Sequence, residues 1–80
     1  MMNIDIELYK IFYTVAFCGN ITKAAEKLYI SQPAVTMSIK KLETELGIKL
    51  FVRTKRGVTL TPEGKVLYEY VEKAMENICF

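Results

Sequence analysis

The side chains able to do chemistry fall in two clusters, Ser31 to Lys41 and Arg53 to Gly57. In the first, Gln32, Thr36 and Lys40 recur at helical spacing and so share one face, with Pro33, Met37 and, further round, Lys41 beside them. A glutamine amide pairs with adenine or donates to a phosphate, and a threonine hydroxyl bonds a base edge or touches a thymine methyl. Ser31 and the free N–H groups of the turn it starts make a natural phosphate site. Lys40 lies one turn further on, where a duplex backbone would curve past. The second cluster, Arg53-Thr54-Lys55-Arg56-Gly57, is cationic with no acidic partner. Arginines at such a tip, here Arg53 and Arg56, reach phosphates or enter a narrow minor groove. The plainer alternatives are a solvated helix face and a lysine-guarded strand edge. Polar recognition at one cluster beside dense positive charge at the other favours duplex DNA.

Other chemistries find little material. The chain has no histidine, and Cys18 and Cys79 match no metal or redox spacing, so no metal site and no cofactor are expected. No glycine loop cradles phosphates, no serine or cysteine has an evident base, and the carboxylates read as solvated groups on helix surfaces. The chain is therefore expected not to be an enzyme. Cys18 continues an apolar helical face and reads as a buried free thiol. No apolar run approaches the ~18 residues of a membrane span, and no signal peptide is evident. The expected setting is the cytosol, with no membrane partner.

Eighty residues, 51% of them hydrophobic and including five Tyr and four Phe, suffice for one small domain with an ordered core. The net charge of +2 identifies nothing by itself. Its distribution does, because Lys49 to Leu60 carries Lys49, Arg53, Lys55 and Arg56 and no acid. A first helix is expected from Asp5 as its cap, burying Ile4, Leu8, Ile11, Phe12, Val15 and Cys18 and ending at Gly19-Asn20. A second runs from about Thr22 to Tyr29, where Ala24 and Ala25 let a neighbouring helix come close. The third starts at the Ser31 cap, carries Pro33 in its first turn, turns Val35, Ile39, Leu42 and Leu46 inward, and stops at Gly47. Ile48–Arg53 and Val58–Thr61 read as a hairpin. The predicted class is mainly α: a winged helix-turn-helix over 1–61, with helix-turn-helix about 21–46 and wing about 48–61.

Thr61 and Pro62 open a last helix over 62–80. Leu67, Val71, Ala74 and Ile78, flanked by Val66, Tyr70 and Met75, give it a wide apolar stripe, and Glu69 and Lys73 form an i,i+4 pair on the other side. A helix this long is expected to overhang a small core and leave the stripe wet. Pairing with a second copy through Val66, Leu67, Tyr70, Val71, Ala74 and Ile78 would cover it. The rival is a winged helix reused to bind another protein.

The segments ITKAAEKLYISQPAV, IKKLETELGIKLF and VRTKRGVTLTPEGKVL closely resemble the N-terminal domain of LysR-type transcriptional regulators, and the match covers essentially the whole chain. The resemblance implies sequence-specific binding of double-stranded DNA. Gln32, Pro33, Thr36 and Met37 would meet bases, and Thr22, Ser31 and Lys40 would lie near phosphates. Arg53 and Arg56 would match the wing arginines, and 62–80 would be a linker helix pairing antiparallel in a homodimer, with tetramers in a full-length protein. Two departures stand out. Met37 occupies a position that is usually polar, which favours an apolar touch on thymine and an A·T-tolerant half-site. The chain also stops where such regulators continue into a larger effector-binding domain. An excised DNA-binding fragment or a natural truncated product, without small-molecule sensing, is therefore expected.

Overall fold

A computed structural model describes residues 5–77. Four helices and one hairpin follow in the order α1 (Ile6–Cys18), α2 (Ile21–Leu28), α3 (Gln32–Leu46), β1 (Phe51–Thr54), β2 (Gly57–Leu60) and α4 (Pro62–Asn77). This is the winged helix-turn-helix with a trailing helix that the sequence predicts.

Local chemistry sets the helix starts. The Asp5 carboxylate accepts the Glu7 N–H at 3.0 Å, the Asn20 side chain accepts the Lys23 N–H at 2.9 Å, and the Ser31 hydroxyl accepts the Ala34 N–H at 3.2 Å. Each side chain satisfies a first-turn donor that has no partner within its helix. Gly19 and Gly47 close α1 and α3. Between α2 and α3 the chain turns through Tyr29, at φ 58° and 94% exposed. A bulky residue with a positive φ is strained, and its ring lies in solvent.

Leu8, Ile11, Phe12 and Val15 of α1 meet Ala24 and Ala25 of α2 and Val35, Ile39 and Leu42 of α3 in one buried cluster. The two alanines do as their size suggests, since both are buried where α2 meets its neighbours. Leu50 and Val58 bring the hairpin into this core, and the Phe12 and Phe51 rings lie 5.4 Å apart. Helix α4 returns across α1 through Tyr68, stacked on Tyr13 at 5.2 Å, and through buried Val71 and Met75. Burial, with Tyr13 and Glu72 adding to it, raises the pKa of the Tyr68 hydroxyl.

Several boundaries differ from the sequence expectation. Helix α2 begins at Ile21 and ends at Leu28, one residue early at each end, because Asn20 is its cap and Tyr29 has already left helical φ. The strands pair only over Phe51–Thr54 and Gly57–Leu60, antiparallel, with Phe51 opposite Leu60 and Thr54 opposite Gly57. Ile48 to Leu50 lies outside the ladder: the Leu50 N–H is taken by Glu43, although the Thr61 N–H still donates to the Leu50 carbonyl in register with the hairpin. Leu46, placed inward by periodicity, is 38% exposed, because it falls in the last turn of α3, beyond the core. Cys18 is a half-buried free thiol rather than a fully buried one.

The stripe on α4 divides. Val71 turns into its own core with Met75 at i+4, and Leu67 is half-buried, whereas Val66, Tyr70 and Ala74 are exposed. The face that α1 claims is rotated toward Tyr68 and Met75, so Val71 does not belong to the outer surface that pairing would need. Glu69 and Lys73 are both exposed and form no ion pair; among the described residues the pair that closes is Lys49–Glu43. Ile4, Ile78 and Cys79 lie outside the described residues.

Candidate nucleic-acid interface

The outward face of α3 carries Gln32 and Pro33 in its first turn, then Thr36, Met37 and Lys40. Gln32, Pro33, Met37 and Lys40 are exposed, with Met37 at 72%, while Thr36 is half-buried at the foot of the face. Ser31 stands at the helix N-terminus with its hydroxyl engaged in the cap. That leaves the first-turn N–H groups and the positive end of the helix dipole facing outward.

Two hollows run between this face and the wing. A cleft of 210 Å³ is lined by Thr22 and Asn20 from the start of α2, Gln32 and Thr36 from α3, and Arg53 and Thr54 from β1. Beside it, a groove of 270 Å³ is lined by Thr36, Lys40, Glu43, Lys49 and Arg53, with Ile39 and Phe51 among its apolar walls. Ile21, Thr36, Arg53 and Val58 border both. Residues from three separate elements thus converge, with amide, hydroxyl and guanidinium donors along one rim. Ser31, Pro33, Met37 and Arg56 do not line either hollow. Met37 stands clear of both, and Arg56 is exposed at the hairpin tip, its N–H donating to the Thr54 hydroxyl at 3.3 Å.

Backbone contacts place the wing beside α2 and α3. The Val58 N–H donates to the Gly19 carbonyl at 3.2 Å, fastening β2 to the turn that precedes Thr22. The tip residues Lys55 and Arg56 keep negative φ, and the change of direction falls on Gly57 at φ 142°. At the other end of the hairpin, the Thr61 N–H donates to the Leu50 carbonyl at 3.0 Å and its hydroxyl to the Lys49 carbonyl at 2.6 Å.

The sequence does not single out Asn20 or Glu43 for this region, and it marks Lys49 only as part of the wing's charge. Asn20 is legible as a helix cap, but its place on the cleft depends on where the wing docks. Glu43 corrects the expectation that the carboxylates are all solvated surface groups. Its side chain is only 11% exposed and accepts the Leu50 N–H at 2.8 Å.

This fold and this convergence of donors define a winged helix-turn-helix DNA-binding domain. Residues 6–65 match the family described as "Bacterial regulatory helix-turn-helix protein, lysR family", and the chain belongs to that family. It is 46% identical over 74 residues to the HTH-type transcriptional regulator GltR of Bacillus subtilis (strain 168), covering 92% of this chain and 25% of that protein. It is 48% identical over 68 residues to the nitrogen assimilation regulatory protein nac of Escherichia coli (strain K12), covering 85% and 22%. The chain therefore spans about a quarter of the length of these relatives. Among solved structures, the BenM DNA-binding domain in complex with catB site 1 DNA matches with a TM-score of 0.87 and 40% identity, over 94% of this chain and 81% of that one. The complex of the CbnR DNA-binding domain with DNA matches at 0.86 and 35% identity, over 94% and 86%.

Proposed function

We propose that this chain binds specific duplex DNA sequences with α3 in the major groove and the wing against the adjacent backbone or minor groove, as a transcriptional regulator's DNA-reading part. The observation that carries this is the sharing of Thr36 and Arg53 between the two hollows that separate α3 from the wing. A hydroxyl suited to base edges and a guanidinium suited to phosphate thus border the same two hollows, which supports this reading. Gln32, Pro33, Thr36 and Met37 meet base edges. Thr22, Ser31, Lys40, Arg53, Thr54 and Arg56 hold the backbone. The chain acts by binding, without turnover, in the bacterial cytoplasm. Among the described residues no helix is long and apolar enough to cross a membrane.

Pairing of two copies through α4 belongs to the same proposal. Exposed Val66, Tyr70 and Ala74, with Leu67 at their edge, offer the surface. Two α3 helices would then enter successive major grooves about 34 Å apart. In a longer protein, pairs of such dimers would form tetramers.

The test is duplex binding across a salt series, using a sequence selected by the chain from a random pool. Wild-type affinity should fall steeply as salt rises. Arg53→Ala should weaken binding to every sequence similarly and reduce the salt slope by about one unit. Thr36→Ala should instead relax sequence preference, by roughly 1 kcal/mol per half-site. Salt-insensitive self-association without duplex binding would favour the alternative, a winged helix that binds protein.

Met37 supplies a second check. A thioether cannot make the bidentate contact with guanine that arginine makes. Selection with Met37→Arg should therefore enrich guanine at one position of each half-site where the wild type enriches A·T pairs. An unchanged motif would remove Met37 from the base-reading set.

A further inference from the structure

Glu43 lies three turns into α3, on the flank that faces the wing. One carboxylate oxygen accepts the Leu50 N–H at 2.8 Å and, more weakly, the Phe51 N–H at 3.4 Å. The other lies 3.8 Å from the Lys49 ammonium, which is itself 81% exposed. So solvated a pair contributes little, and the amide contacts are the polar tie between α3 and the start of β1. Among the described residues, no other hydrogen bond joins α3 to the strands or to Leu50. The remaining anchors of the hairpin lead elsewhere, to Gly19 before α2 and to Thr61 before α4. Glu43 also lines the groove that contains Thr36, Lys40 and Arg53.

We propose that Glu43 is a positioning residue for DNA recognition: by clamping the start of β1 to α3, its carboxylate sets the distance between the base-reading face and Arg53. The inference rests on the DNA-binding function proposed above. Backbone reach decides whether both elements can touch one duplex, since a wing that drifts from α3 engages a different phosphate or none. Loss of Glu43 leaves the Gly19 and Thr61 anchors and the packing of Leu50 and Val58 in place, so the hairpin remains attached but loses its polar tie to α3, and its spacing to that helix loosens. The electrostatic effect has the opposite sign. A carboxylate beside a polyanion repels it, and removing that charge without moving the wing would tighten binding.

A double-mutant cycle on the 80-residue chain tests this, with affinity measured on a duplex selected by the wild type and at a temperature where every variant is folded. Glu43→Ala should weaken binding about tenfold when Arg53 is present, and no more than about twofold in the Arg53→Ala background. Glu43→Gln keeps an oxygen for the two amides and should restore affinity to within about threefold of wild type. If Glu43→Ala does not fold, Glu43→Asp takes its place, its carboxylate withdrawn by one methylene, and the same dependence on Arg53 is expected. Equal losses in both Arg53 backgrounds, or tighter binding without Glu43, would overturn the proposal. If the unsubstituted chain showed no salt-dependent duplex binding, the DNA-binding function would fall as well. Binding by the wild type with additive losses would remove the positioning role alone.

Discussion

Gly57→Ala is expected to destabilise the domain by about 2–4 kcal/mol and to weaken DNA binding regardless of sequence. Two effects coincide at this residue. Its φ of 142° lies where side-chain-bearing residues are strained. An added Cβ would also fall well inside van der Waals contact with the Gly19 carbonyl oxygen and within 3.7 Å of the Asn20 Cα. Neither obstacle is a flexible side chain. The same carbonyl accepts the Val58 N–H at 3.2 Å, so moving the hairpin away breaks that bond and uncovers Val58, now 8% exposed. Moving Gly19 instead disturbs the cap of α1, where its own N–H donates to the Val15 carbonyl at 2.8 Å. A domain of this size has roughly 4–12 kcal/mol of stability in all, so the loss should be plain in a urea titration. Binding should suffer further because Gly57 borders the cleft that holds Thr22, Gln32 and Arg53. An unchanged unfolding midpoint would show that the wing is not pressed against the α1–α2 turn.

The contrast between Gly57 and the helix caps explains what could be read from residues alone. Asp5, Ser31 and Thr61 announce helix starts because the N–H groups they cap lie within three residues along the chain. The alternation of core positions in α1 and α3 is equally local, and Leu8, Ile11, Phe12, Val15, Val35, Ile39 and Leu42 are buried as their spacing predicts. Periodicity fixes the repeat of a stripe but not its rotation when apolar residues are plentiful. The α4 stripe is ambiguous for this reason: Val66, Leu67, Tyr70, Val71, Ala74 and Met75 span about half the circumference, and either edge of that span could face α1. The stack of Tyr68 on Tyr13 settles it, and it joins residues far apart in sequence.

The site follows the same division. Gln32, Thr36 and Lys40 share a face by helical geometry, so their grouping needs no tertiary information. The meeting of Thr22 with Thr54 and Arg53 depends on the Val58–Gly19 bond, which no local pattern encodes. The clamp by Glu43 is hidden for a related reason. A glutamate between a leucine and a threonine on an amphipathic helix looks like any solvated one. Its partners are backbone N–H groups of a segment that reads as strand, and the contact also explains why that strand begins at Phe51 rather than Ile48.

Thr61→Val should lower the melting temperature by roughly 10–20 °C, corresponding to about 2–4 kcal/mol for a domain of this length. The shape of the residue survives this change, and only the hydroxyl is lost. That hydroxyl donates to the Lys49 carbonyl at 2.6 Å and accepts the Gly64 N–H at 2.9 Å, in a residue only 8% exposed. Valine would strip the first turn of α4 of its cap and leave the Gly64 N–H buried without a partner. Gly64 has no room to adjust, because the Leu50 carbonyl already lies against its Cα. The chain segment before β1 would lose its tie to the helix after β2, and with it the direction in which α4 leaves the wing. Thr61→Ser keeps both bonds and should melt within a few degrees of wild type. Calorimetry on the three proteins decides the matter: if valine and serine melt alike, the hydroxyl does not join the wing to the helix proposed to pair two copies.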